Sequence, residues 1–88
     1  MIRRRVVVHG RVQGVFFRDT CQREASNRDV SGWAANRSDG SVEVVFEGEA
    51  DAVEQMLAWC RQGPDQASVT SVEVTEERPQ GESGFRVN

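Results

Sequence analysis

An arginine stands four residues after the second of two closely spaced glycines, at the point where a loop turns into a helix. In Gly10-Arg11-Val12-Gln13-Gly14-Val15-Phe16-Phe17-Arg18, Gly10 and Gly14 allow positive φ, so the backbone can curl without a Cβ clash. A curled loop that runs into a helix N-terminus points successive N–H groups into one concavity, and the helix dipole adds to their pull on a phosphate-sized dianion. Arg18 would lie in the first turn of that helix. Its guanidinium fork can grip two phosphoryl oxygens at once, which an ammonium cannot do. A permanent cation beside a helix N-terminus is locally unfavourable, and the placement makes sense if an anion sits between them. Taken alone, the loop remains compatible with a solvent-facing arginine after an ordinary glycine-bearing turn.

Other chemistries have less to work with. Cys21 and Cys60 are too few for a disulfide framework and lack the spacing of a metal or redox motif. With a single histidine, His9, and no clustered thiols, a protein zinc site is not expected, and no cofactor is implied. His9 precedes the glycine loop, so a general base is conceivable there, but strand alternation does not tell which face it occupies. The formal charge of −3, with all 11 basic residues arginine, argues against a general polyanion binder, because counterion release needs a large basic surface. The Arg3–Arg5 run is read as a solvated strand start.

These residues need a scaffold, and 88 residues make one domain, 1–88, since so short a chain buries only roughly 60–65% of its unfolded surface in a single core. At 38% hydrophobic and 28% charged the composition is that of a soluble globular protein. No apolar run approaches the ~20 residues of a bilayer span, and the N-terminus lacks a signal peptide's apolar core and cleavage site. A cytoplasmic location is expected.

Arg4 to His9 is apolar and β-branched, as in a buried strand. From Phe16 to about Arg28, Phe17, Cys21 and Ala25 recur at helical spacing, with Asn27 and Asp29 as terminators. Val30 to Ala35 and Val42 to Glu47 form strands around a polar hairpin turn, Asn36 to Ser41. A second helix starts near Glu49, carries Val53, Met56, Leu57 and Cys60 inward, and stops at Gly63-Pro64. Val69, Val72 and Val74 mark a fourth strand ending near Glu77, and Phe85-Arg86-Val87 a short closing one. This order is the split β-α-β pattern of a ferredoxin-like α+β sandwich, with an antiparallel four- to five-stranded sheet and two antiparallel helices on one face. Cys21 and Cys60 would then approach each other as buried thiols. The architecture alone decides nothing about function.

The loop motif does more. Val8-His9-Gly10-Arg11-Val12-Gln13-Gly14-Val15-Phe16-Phe17-Arg18 resembles the first signature of the acylphosphatase family, with the core Gly-x-Val-Gln-Gly-Val-x-Phe-Arg matched without a departure. Gly32-Trp33-Ala34-Ala35-Asn36, followed by Gly40-Ser41-Val42 and Gly48, resembles the second. Pro64, Ala67 and Val69 fit a third, weaker pattern, so the resemblance spans nearly the whole chain. It implies a metal-free hydrolase of the carboxyl–phosphate anhydride bond. The backbone amides of Gln13, Gly14, Val15, Phe16, Phe17 and Arg18 would hold the phosphoryl group with the Arg18 side chain, and Asn36 would orient the attacking water. Without the resemblance, Asn36 is equally well read as a hairpin-turn residue.

A sparse site suits that reaction. The leaving carboxylate has a conjugate acid of pKa only ~4–5, so it departs without a general acid. Positioning and charge stabilisation then suffice. The implied partners are a small-molecule acyl phosphate and product phosphate, with carbamoyl phosphate and 1,3-bisphosphoglycerate in the substrate class. Neither nucleic acid nor membrane is called for, and a monomer is expected. Two other readings remain: an anion-binding module without catalysis, which would be expected to lack Arg18 or Asn36, and an RNA binder. The second would want a basic-aromatic strand pattern, where Glu43 and Glu47 flank Phe46 instead.

Overall fold

The computed structural model describes residues 1–88. The β-branched run near the N-terminus forms β1 (Ile2–Arg11), and the chain then enters α1 (Phe17–Asn27). The hairpin strands are β2 (Ser31–Asn36) and β3 (Val42–Gly48), followed by α2 (Ala50–Gln62), β4 (Ser68–Glu77) and β5 (Phe85–Val87). Both helices end as their residues require. Asp29, just past α1, takes a left-handed φ of 55°, and Gly63 caps α2 at φ 70°, conformations that Asp and Gly adopt more readily than other residues.

The sheet order is β4-β1-β3-β2-β5. The inner face of the sheet, with Val6, Val8, Val42, Val44 and Phe46, packs with Phe17, Cys21 and Ala25 of α1 and Val53, Met56 and Cys60 of α2 in one core. The ferredoxin-like arrangement expected from the sequence is therefore present. The Phe17 and Trp59 rings meet at 5.1 Å, so the start of α1 lies against the finish of α2. Cys21 and Cys60 are buried and unbonded. Burial pushes the Cys21 thiol well up, and the neighbouring Cys60 adds to the rise.

Two expectations need correction. The sheet is mixed rather than wholly antiparallel, because β5 pairs with β2 in parallel register, Gly32 opposite Phe85 and Ala34 opposite Val87. The cause is topological. Strand β4 runs antiparallel to β1 and ends at the far end of the sheet from the glycine loop. Residues 78–84 must then cross four strand spacings, about 19 Å at ~4.8 Å each, which seven residues reaching ~23–25 Å can span. Strand β5 starts from the end where β2 also starts, so the two run together.

The second correction concerns the outer face. Arg3 is no solvated strand start: it is 2% exposed, as is Glu47. Arg3 donates to Glu77 (2.9 Å), Glu82 (3.0 Å) and Glu47 (3.2 Å), while Arg5 pairs with Glu77 and Glu43 and lies over the Trp33 ring. Glu47 also accepts the backbone N–H groups of Gln80 (2.7 Å), Gly81 (2.9 Å) and Glu82 (2.9 Å), which fastens the crossing loop to the centre of the sheet. Burial works against both charges. At Arg3 the bonds to Glu77, Glu82 and Glu47 outweigh it and raise the guanidinium pKa. At Glu47 the amides of Gln80 and Glu82, then Arg3 and Gly81, outweigh it and hold the carboxyl below the usual carboxylate range.

Candidate active site

Four chain segments converge at one end of the sheet. Strand β1 runs antiparallel to β3, and β3 antiparallel to β2, so β1 and β2 finish together. The β1–α1 loop, the β2–β3 turn and the end of β5 are gathered there. Strand β4 begins there too, with Ser68 opposite Arg11, which brings the α2–β4 turn alongside.

The loop has the curl anticipated from its glycines. Gly10 sits at a register shift in β1 with φ 121°, and a Cβ there would stand 2.1 Å from the Ser68 carbonyl oxygen, so only glycine fits. Gly14 (φ 74°) and Phe16 (φ 60°) are left-handed on either side of a residue with negative φ. Alternation of this kind turns successive N–H groups toward a common point. Phe16 is the N-cap of α1 and offers no side-chain cap. None of the backbone hydrogen bonds outside regular elements is donated by Gln13, Gly14, Val15 or Phe16. A left-handed phenylalanine costs of order 1–3 kcal/mol, and strain of this size clusters at ligand sites.

Arg18 is the second residue of α1, half-buried. Its Nη1 donates to the Asn88 main-chain oxygen, and the Asn88 N–H donates to Ala34 O of β2 at 2.9 Å. The arginine is thus tied to the strand that ends two residues later at Asn36, which is exposed at the last position of β2 opposite Val42. The loop is tied to the same hairpin by Gln13, whose Nε2 donates to Arg37 O (2.8 Å) and Ser41 O (2.9 Å). Asp39 accepts from the Ser41 hydroxyl and N–H. Those bonds hold its carboxyl below the usual range and shape the turn. The structure therefore brings the amides of 13–18, the Arg18 side chain and Asn36 to one end of the sheet.

Sequence reasoning missed two of these connections. Gln13 entered it only as a backbone amide, although its side chain bridges the loop to the hairpin; its place in the first signature was the available signal. Asn88 carried no signal, because its contact with Arg18 spans 70 positions. His9 lies on the outer face, Nε2 2.8 Å from Glu73 Oε2, on the side of the sheet away from the helices. No group of three or more His, Cys, Asp and Glu residues is placed to hold a metal ion.

A family model described as acylphosphatase matches residues 4–87. The chain belongs to the acylphosphatase family. An acylphosphatase of Rubrobacter xylanophilus is 55% identical over 84 residues, covering 94% of this chain and 76% of that one. One of Natronomonas pharaonis is 46% identical, covering 98% and 94%. The crystal structure of the acylphosphatase from Bacillus subtilis superposes with a TM-score of 0.96 at 39% identity, over 100% of this chain and 99% of that one. The activity of this chain is accordingly that of an acylphosphatase, a hydrolase of acyl phosphates.

Proposed function

We propose that the β1–α1 loop and Arg18 hold the phosphoryl group of an acyl phosphate while Asn36 orients the water that attacks it. The observation that carries this reading is the convergence itself: an uncapped, alternately left-handed loop, a guanidinium in the first helical turn, and a side-chain amide at the end of the neighbouring strand. Amides of residues 13–18 and the Arg18 fork supply charge-assisted donors to the phosphoryl oxygens. The Asn36 carboxamide oxygen accepts a hydrogen bond from the water and so aims the water oxygen at phosphorus. The new bond forms between water oxygen and phosphorus. The bond from phosphorus to the bridging oxygen breaks, and its electron pair leaves on the carboxylate. The water proton passes to a phosphoryl oxygen or to solvent, so neither a general acid nor a metal ion is required by this route. Around this reaction the chain acts as a single domain, a monomer of the cytoplasm that meets small-molecule substrates and binds no nucleic acid. No helix is long and apolar enough to cross a membrane.

Asn36→Ala tests the role of the water. Turnover of benzoyl phosphate should fall about a hundredfold, the scale for losing one preorganised polar group, while the Kd of inorganic phosphate, followed by calorimetry, stays within about twofold. Equal losses in both would make Asn36 a phosphate ligand or a structural turn residue.

A further inference from the structure

Loop 12–16 has two flanks, and Asn36 stands on only one of them. On the hairpin flank stand Asn36 and the bonds from Gln13 to Arg37 and Ser41. On the other flank, between the loop and the α2–β4 turn, lies a cleft of about 440 Å³, within the range of small-molecule sites. Val15 and Phe16 form its loop side, Thr20 and Arg23 come from α1, and Trp59 and the turn from Gly63 to Gln66 close it. Phe16 is 70% exposed. As a left-handed N-cap its ring stands outside the core. Trp59 opposite is half-buried, braced by Phe17. Arg23 forms no ion pair and lies exposed.

Phosphoryl transfer keeps the attacking and leaving oxygens roughly in line. With the water delivered from the Asn36 flank, the bridging oxygen and the acyl group attached to it must point away from the hairpin, toward this cleft. We propose that the cleft is the acyl-group subsite, and that it favours acyl phosphates whose acyl group carries a flat hydrocarbon body able to pack between Phe16 and Trp59. The inference rests on the phosphoryl group being held by loop 12–16. Covering Phe16 and the Trp59 face with the acyl group removes apolar surface from water, and the carboxylate product, once formed, leaves through the open side past Arg23.

Two stable phosphonates separate this claim from the reading beneath it. Methylphosphonate carries no acyl body, whereas phenacylphosphonate replaces the bridging oxygen with CH2 and keeps a benzoyl group. In amide and indole NH spectra of the whole protein, both should shift the amides of 13–18. Only phenacylphosphonate should also shift the Trp59 indole and residues 63–66. Shifts in the loop from both compounds, with the cleft unmoved by phenacylphosphonate, would overturn the subsite and leave the cradle standing. No shift in the loop from either would overturn both. In kinetics, Trp59→Leu should lower kcat/KM about tenfold for benzoyl phosphate, the scale of a lost pocket contact, and leave acetyl phosphate within about twofold. An equal loss for both substrates would contradict the assignment. Should the variant not fold, the phosphonate spectra decide alone.

Discussion

Arg18→Ala should abolish turnover, lowering kcat/KM for benzoyl phosphate about 10³-fold or more, the scale of a lost arginine at a transferring phosphoryl group. Stability should scarcely change. The side chain is half-buried, and it donates to the Asn88 main-chain oxygen. That bond is worth about 1 kcal/mol, part of which returns because a cation leaves a helix N-terminus. The conservative variant separates charge from shape. Arg18→Lys keeps the positive charge but not the fork, so it should recover only a small part of the rate. Inorganic phosphate should bind more weakly to Arg18→Ala, in contrast to Asn36→Ala. Activity near that of the wild type in Arg18→Ala, measured in a protein with unchanged thermal unfolding, would remove Arg18 from the site.

Glu47→Ala should cost about 3–5 kcal/mol, the range for removing one partner of a buried ion pair. The substitution leaves the Arg3 guanidinium with one carboxylate fewer and strips the acceptor from three backbone N–H groups, those of Gln80, Gly81 and Glu82. Its pH signature follows from the depressed carboxyl. A group whose folded pKa lies below its unfolded value, ~4.3 for Glu, contributes stability that is fully present above the unfolded pKa and is lost as the pH falls through the folded one. Glu77 is held low in the same way, by Arg5 and then Arg3. Urea unfolding at pH 7 and pH 3 should therefore show a wide gap between wild type and Glu47→Ala that narrows in acid. A gap below about 1 kcal/mol at pH 7 would mean that the crossing loop is held by other contacts.

The parts legible in the sequence were those encoded locally. The pair Gly10 and Gly14 ahead of a helical spacing announced the curled loop, and Gly63-Pro64 announced the end of α2, because backbone conformation there is dictated within a few residues. Turn chemistry put Asn36 at the start of the hairpin turn, one residue from its place at the last position of β2, although its role needed the family resemblance. The outer face was not legible. Arg3 and Glu47 look like surface charges in any local window, and they are buried only because partners 33 to 79 positions away close over them. The direction of β5 was hidden for a related reason: three residues of strand carry no orientation, which is set by where the crossing loop delivers them. The exposure of Phe16 was not legible either, because the left-handed turn that carries its ring outward arises from the loop and not from the helical spacing.

The central claim is that water attacks phosphorus at a site built from the β1–α1 loop, Arg18 and Asn36, without a metal ion. Hydrolysis of benzoyl phosphate by the wild-type protein in ¹⁸O-labelled water with excess EDTA tests it most directly. Full turnover with the label found in inorganic phosphate is the predicted result. Label in benzoate would show attack at the acyl carbon, and loss of turnover in EDTA would show that the loop and Arg18 do not suffice; either result would contradict the account.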